Sequence, residues 1–468
     1  MKLKENFSNK FFLVGLVMLF CLILGPPGIA QALEHTGSID EDETWVASDN
    51  PHEITGNLTV SNLVTLTLEP GVEVLFKGNY RIGVYGALRA EGTEENGIRF
   101  TRGPGVAHWY GLYLYNGSGG VFIYCTIEWA NYRGIDADSC YLSVSNCTIR
   151  NNSNYGIYAR AINPYLADNV IENNGTGLRI DSYYAPSVKE GMLLADGANN
   201  VIRDNDTGLY FYDCTWPTVV ATSVINNNTT YGVRFHNCAH PSLLADISAS
   251  GTAVYYQDCT YVSPLEGVSL TDNTGAYGAI LAKGSGPMTL GAGNTIAGNS
   301  FPLSIDAASY ATEDSLLPTV GNHTDGIQVT SGTSQQDAAW YSFGLPYILT
   351  ASPTVGAGGS LTVEAGVTAR LLYSAYLNIY GELQTNGTND SGITFTRHQA
   401  SRWNYLYFRS GSTGLLSYTN VEFAGSGIYV SGSGPEVDAC TLQNNTQGYY
   451  GHSNATGSIH NCLITNND

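Results

Sequence analysis

Three carboxylates and a guanidinium stand out by position, because Asp136, Asp138, Arg160 and Asp181 fall on neighbouring strands of one repeated pattern. Carboxylates gathered beside an arginine are the raw material for binding a cation, for proton transfer, or for gripping a charged sugar. Asp136 and Asp138 lie two residues apart on an alternating segment and therefore share a face, at ~6.6 Å between Cα atoms. That spacing alone specifies no mechanism.

The same outward positions carry aromatic and basic residues in adjacent copies. One column reads Tyr113, Asp136, Tyr158, Arg179, Tyr210, Arg234 and Tyr255, and a second reads Tyr115, Asp138, Arg160, Asp181, Tyr212, His236 and Gln257. Aromatic faces stack on sugar rings while guanidinium and carboxylate groups bond hydroxyls or uronates, so the strip suits a saccharide. An ordinary solvated sheet, in which Tyr and Arg merely pack on one another, accounts for the same residues.

The columns exist only if a repeat positions them. Cys147-Thr-Ile-Arg-Asn151-Asn152 followed by Gly156 returns as Asn169-Val-Ile-Glu-Asn173-Asn174 with Gly177, as Asn200-Val-Ile-Arg-Asp204-Asn205 with Gly208, and as Ser223-Val-Ile-Asn-Asn227-Asn228 with Gly232. Echoes follow at Asn294–Asn299, Cys440–Asn445 and Cys462–Asn467. Each copy, at a spacing of roughly 20 to 30 residues, is a short alternating strand, an Asn-rich turn, a Gly and a second strand. So short a unit cannot bury its apolar side alone, so copies must stack, Asn over Asn and aliphatic over aliphatic. Alternation after each Gly sends Leu112, Leu114, Ile157, Leu178, Ile180, Leu209, Phe211, Val233 and Phe235 inward. Composition agrees: 54 Gly, 32 Tyr and only 13% charged residues favour strands and turns over helices.

This repeat resembles that of the right-handed parallel β-helix proteins of the pectin-lyase-like superfamily, over nearly the whole chain after its first segment. The resemblance implies an all-β fold, a right-handed single-stranded parallel β-helix, and an outer sheet where relatives that cleave acidic polysaccharides place catalytic Asp and Arg. This chain departs from the enzymes, lacking the clustered Asp pairs, Gly-His-Gly and Arg-Ile-Lys of polygalacturonase-like members. The nearest analogue of a calcium-dependent lyase site is Asp136, Asp138 and Asp181 beside Arg160. The expectation is therefore an extended binding or structural element that contacts polysaccharide, with no cofactor unless calcium occupies the acidic positions. A polysaccharide lyase or glycoside hydrolase acting on acidic glycans is the alternative.

A larger duplication lies over the repeats. Leu66–Val72 matches Leu361–Val367, Gly86 matches Gly381, and Gly97–Arg102 matches Gly392–Arg397 at one constant offset, with Trp45 and Pro51 paired to Trp340 and Pro346. Two tandem modules are expected, over 45–336 and 337–468, after a signal peptide (1–32) and a leader (33–44) whose acidic run Asp40-Glu41-Asp42-Glu43 is read as solvated, not as a metal site. The second module breaks off where the first stands near residue 174, so a longer natural chain is expected.

Lys2, Lys4 and Lys10, the apolar run from Phe11 to Leu24, and Ala30-Gln31-Ala32 have the order of an export signal cleaved near Ala32, and the run is too short for a good membrane span. The expected location is extracellular or at the cell surface, with no transmembrane segment in the mature chain. A formal net charge of −20 argues against nucleic acid and anionic lipid as partners. Eight later cysteines fall into stacked slots, Cys125 with Cys147, Cys440 with Cys462, and Cys140 with Cys214, Cys238 and Cys259. They fit either disulfides or a buried thiol ladder. His236 and His240 flank Cys238 at a spacing suited to zinc on a helix, not on a strand and turn, so no metal site is expected. Sequons at Asn57, Asn116, Asn174 and Asn205 follow from the Asn- and Thr-rich turns.

Overall fold

The computed structural model describes residues 32–468 apart from 163, 183–191, 194–198, 319 and 453. The expected signal peptide, up to Gln31, lies outside the described residues. The rest of the chain winds into a right-handed parallel β-solenoid of about 18 turns. Among the described residues there is no α-helix, and the one 3-10 turn spans Ala47–Asp49. No helix there is long and apolar enough to cross a membrane.

Three strands make a typical turn, as in Arg133–Asp138, Tyr141–Ser145 and Thr148–Arg150, and each pairs in parallel with its counterpart one turn on. Within the expected leader, Leu33–Ile39 is a largely exposed strand paired with His52–Val60, and Glu43–Trp45 pairs with Thr65–Leu68. The acidic run between them is held by its neighbours: Asp40 accepts from the Ser61 hydroxyl and Asp42 from the Thr65 amide. Asp40, Glu41 and Asp42 are exposed, and the pairing on either side of them joins the stretch to the first turn. Pairing also runs without interruption across residue 337, through Leu303–Ile305, Ile327–Val329, Tyr347–Leu349 and Thr368–Leu371.

The interior consists of stacked like residues. All nine side chains expected inside the first sheet are buried, and the rings of Phe211, Phe235 and Tyr256 stack at 5.3 and 5.4 Å. At the turns, Asn152, Asn174, Asn205 and Asn228 form a buried ladder. The Oδ1 of Asn174, Asn205 and Asn228 each accepts from the backbone amide and the side-chain Nδ2 of the Asn one turn before, and Asn152 Oδ1 accepts from the Ala130 amide. The residue ahead of each rung (Asn151, Asn173, Asp204, Asn227) sits at φ of 54 to 56°, a left-handed conformation that Asn and Asp adopt most readily after Gly. A sequon asparagine at 174 or 205 is thus consumed by the ladder.

Gly134, Gly156, Gly177 and Gly208 occupy a second crowded column. A Cβ on any of them would meet the carbonyl oxygen of the next Gly, or of Gly232, at 2.5 to 2.7 Å. The buried Gly is followed by a buried aliphatic, which interrupts strict alternation. The residue before the Gly therefore also faces outward.

Candidate functional site

The outer sheet holds the expected columns in register. Tyr113, Asp136, Tyr158, Arg179, Tyr210, Arg234 and Tyr255 are successive partners across seven strands, and Asp138, Arg160, Asp181, Tyr212, His236 and Gln257 follow beside them. The interruption at Gly adds a third column that alternation had concealed, with Arg133, Tyr155 and Tyr231 among its members. The available signal was the position immediately before each repeat glycine.

Ion pairing dominates the early part of the strip. Arg133 bonds Asp136, and Arg160 Nη2 lies 3.1 Å from both Asp136 Oδ1 and Asp138 Oδ2. Arg179 grips Asp181 with two nitrogens, Nε at 3.0 Å and Nη2 at 3.1 Å, and gives Nη1 to the Tyr155 hydroxyl at 3.0 Å. Tyr158 donates its hydroxyl to Asp181 Oδ2. These contacts fold over the outward face, so Asp136 is only 2% exposed and Asp181 and Tyr158 are each 8% exposed. Side chains expected to stand in solvent are thus largely covered by one another, because Arg and Tyr are long enough to lie across adjacent rungs.

Farther along, rings and cations alternate. Arg179 and Arg234 each lie 4.7 Å from the Tyr210 ring centre, and Arg234 also faces Tyr255 at 5.4 Å. Tyr210 Oη and His236 Nδ1 are 2.9 Å apart, and Arg234 donates to Gln257 Oε1 at 2.5 Å. Arg234 forms no ion pair with a carboxylate among the described residues, unlike Arg133, Arg160 and Arg179.

Burial sets the proton affinities. It pushes the Asp136 carboxyl up despite the opposing guanidinium groups of Arg133 and Arg160. Burial, then the bond to Asp181, pushes the Tyr158 phenol up to about 12. Burial and the neighbouring Arg234 lower the His236 imidazole. The Tyr158 phenol is therefore held protonated at neutral pH, as a hydrogen-bond donor.

Calcium finds the acidic positions engaged, since Asp136, Asp138 and Asp181 already face guanidinium groups. Among the described residues no three His, Cys, Asp or Glu side chains converge to hold a metal ion. His240 lies away from His236, between Trp216 at 3.7 Å and Tyr261 at 5.0 Å in a near-parallel ring stack. All three rings sit on left-handed backbone at φ of 53 to 60°. Tyr261 is 76% exposed. Sequence reasoning missed this corner stack because its members differ in residue type.

The eight cysteines from Cys125 to Cys462 are free thiols. Cys214, Cys238 and Cys259 stack in consecutive turns, and their thiols bond the carbonyls of Tyr212, His236 and Gln257. The ladder is the alternative that the structure adopts.

A family model described as "Right handed beta helix region" matches residues 91–244. No curated protein sequence matches the chain. Among solved structures, a PL6 family alginate lyase, AlyGC, is similar at 9% identity over 96% of this chain and 99% of that one, with a TM-score of 0.21. An arginine-to-alanine variant of the same enzyme gives 9% identity, 96% and 98% coverage, and a TM-score of 0.18. At those scores no residue position transfers from one chain to the other.

Proposed function

We propose that this right-handed parallel β-helix repeat protein is an exported, extended binder of polysaccharide that uses the strip from Tyr113 to Tyr255. The observation that carries the reading is the alternation of Arg179, Tyr210, Arg234 and Tyr255 along the solenoid axis, each cation between rings at 4.7 to 5.4 Å. Such a row offers the partly exposed Tyr210 ring to a sugar face and the Arg179 and Arg234 guanidinium donors to hydroxyls or carboxylates, one position per rung of ~4.8 Å. Arg234, without a carboxylate ion pair among the described residues, suits a uronate.

Saturation of the carboxylates favours binding over cleavage. A general acid or base needs an accessible proton-transfer group, and Asp136, Asp138 and Asp181 are each committed to arginine. One observation favours the second reading, a lyase or hydrolase on acidic glycans: Asp136 is held above the ordinary carboxyl range at an outer-sheet position. The apolar leader followed by Ala30-Gln31-Ala32 supports export. The matched segments around Gly71 and Gly366 support two tandem modules meeting near residue 337.

Size-exclusion chromatography of labelled uronate-rich polysaccharide, with the protein and calcium present, tests the reading. A binder shifts intact glycan to earlier elution and loses the effect on Tyr158→Ala with Tyr210→Ala. Elution of smaller fragments, abolished by Asp181→Ala or Arg160→Ala, would establish the enzyme instead. Indifference of the whole panel leaves a structural element.

A further inference from the structure

A second strip of aromatic residues runs along the later part of the solenoid. Tyr407, Tyr429 and Tyr450 are register partners on successive outer strands. Tyr376 and Tyr405 flank them. The rings form a continuous array: Tyr376 to Tyr405 at 5.5 Å, Tyr405 to Tyr429 at 5.2 Å, Tyr407 to Tyr429 at 4.7 Å and Tyr429 to Tyr450 at 5.1 Å. All five side chains are partly exposed.

The local frame repeats that of the first strip. Trp109 Nε1 donates to the Glu128 carbonyl at 2.7 Å and pairs with Ala130; Trp403 Nε1 donates to the Glu422 carbonyl at 2.9 Å and pairs with Ala424. Relative to these landmarks, the Tyr113–Asp136–Tyr158 column answers to Tyr407–Tyr429–Tyr450, and the Asp138–Arg160 pair to Ser431–His452. Arg133 has Ser426 in its place, since these residues open the equivalent strands.

Arg133, Asp136, Asp138 and Arg160 are thereby exchanged for Ser426, Tyr429, Ser431 and His452. Arg409 stands where the first strip has Tyr115; it stacks on Tyr407 at 3.6 Å and bonds Asn378 Oδ1 at 2.9 Å, with no carboxylate ion pair among the described residues. A stacking surface with one cation, on a chain of net charge −20, does not suit nucleic acid, which needs a basic groove beside the rings. A charged sugar would meet this single guanidinium, against the two of Arg179 and Arg234 in the first strip. Partly exposed phenol rings suit the apolar C–H faces of an uncharged sugar chain extended along the axis, with their hydroxyls left to bond its rim.

We infer that the Tyr376, Tyr405, Tyr407, Tyr429 and Tyr450 surface is a separate binding site for neutral polysaccharide, distinct in ligand class from the charged strip. The site stands whether or not the first strip binds acidic glycan.

Native gel electrophoresis through hydroxyethylcellulose, with polygalacturonate gels in parallel, tests this inference. Retardation in the neutral gel is expected to weaken roughly tenfold in Tyr407→Ala with Tyr429→Ala. It should survive both added salt and the Tyr158→Ala, Tyr210→Ala pair. Tyr429→Thr keeps strand propensity and should show the same direction of loss if the alanine variant does not fold. Unchanged neutral retardation in these variants, absence of neutral retardation in the parent, or its abolition by salt would overturn the inference. Failure of the first strip would show separately, in the polygalacturonate gels.

Discussion

The hydroxyl of Tyr158 donates to Asp181 one turn away at 2.5 Å, so a ring of one rung and a carboxylate of the next form a single unit. Arg179 closes that unit from the carboxylate side. Asp181→Ala leaves both the phenol and the guanidinium without their acceptor in a mostly covered position. A local loss of about 1–3 kcal/mol is expected. Hydrogen exchange read on 155–160 and 176–181 should show faster opening there, with remote turns unchanged, since a solenoid couples neighbours only.

The Asn ladder should be less tolerant. Asn205 Oδ1 accepts from the Asn174 amide at 2.9 Å, and its Nδ2 reaches the Ile171 and Arg203 carbonyls at 3.0 and 2.8 Å. Asn205→Asp has no side-chain N–H to offer those carbonyls and buries a charge against them. It should cost about 2 kcal/mol or more, exceeding Asn205→Ala, which removes the conflict along with the bonds. Denaturant unfolding of the two variants side by side checks the order.

Glu128 concentrates the charge of the neighbouring sheet. Arg99 Nη2 at 2.6 Å, Arg150 Nε at 2.9 Å and the Thr101 hydroxyl at 3.1 Å converge on it. Burial alone would raise its carboxyl, but the two arginines outweigh that and hold it below the ordinary 4.5. Its stabilisation is therefore complete above about pH 4.5 and fades as pH falls through the lowered value. Glu128→Gln should destabilise by about 1–2 kcal/mol at pH 7, limited because both arginines are half exposed. Melting curves of parent and variant should converge in strong acid.

His35 gives a second acid response, in a different window. It stacks on Trp45 at 4.0 Å and faces His52 Nδ1 at 3.0 Å. Burial, then the proximity of His52, lowers its imidazole from 6.5 to about 4. The folded state holds it neutral, so stability is full above pH 6.5 and declines as pH falls toward 4. Hydrogen exchange across 33–60 should accelerate at pH 5 in the parent, and His35→Phe should flatten that dependence.

The thiols supply a chemical check. All eight from Cys125 to Cys462 should alkylate fully after unfolding without reductant. In the native protein Cys125, Cys214, Cys238 and Cys259, all buried, should react far more slowly than the partly exposed Cys462. A mass deficit of two protons per pair would show that oxidation had closed the stacked slots.

The repeat made much of this legible. Period-two alternation between registered Asn and Gly landmarks placed Tyr113 through Tyr255 in one column and Leu178, Leu209 and Val233 inside. Arg133 escaped notice because Gly134, crowded against Gly156, is buried beside Ile135 and breaks the alternation. The covering of Asp136 escaped too, since it depends on how far arginine and tyrosine reach across rungs, a property of side-chain length that no pattern of polarity encodes. The Tyr407 array was visible only as scattered tyrosines until Trp403 and Ala424 fixed its frame. The strand at Leu33–Ile39 was not legible because its pairing partner, His52–Val60, lies outside any local signal.

Stacked registration has a consequence for how such a surface changes over generations. Each turn contributes one side chain to each outer column, so the surface works as a ruler graduated in turns. Gain or loss of a whole turn would lengthen or shorten the bound stretch of ligand by one graduation and leave the remaining marks in place. Length selectivity and chemical selectivity are then adjustable separately, the first by the number of turns and the second by the residue written at each mark.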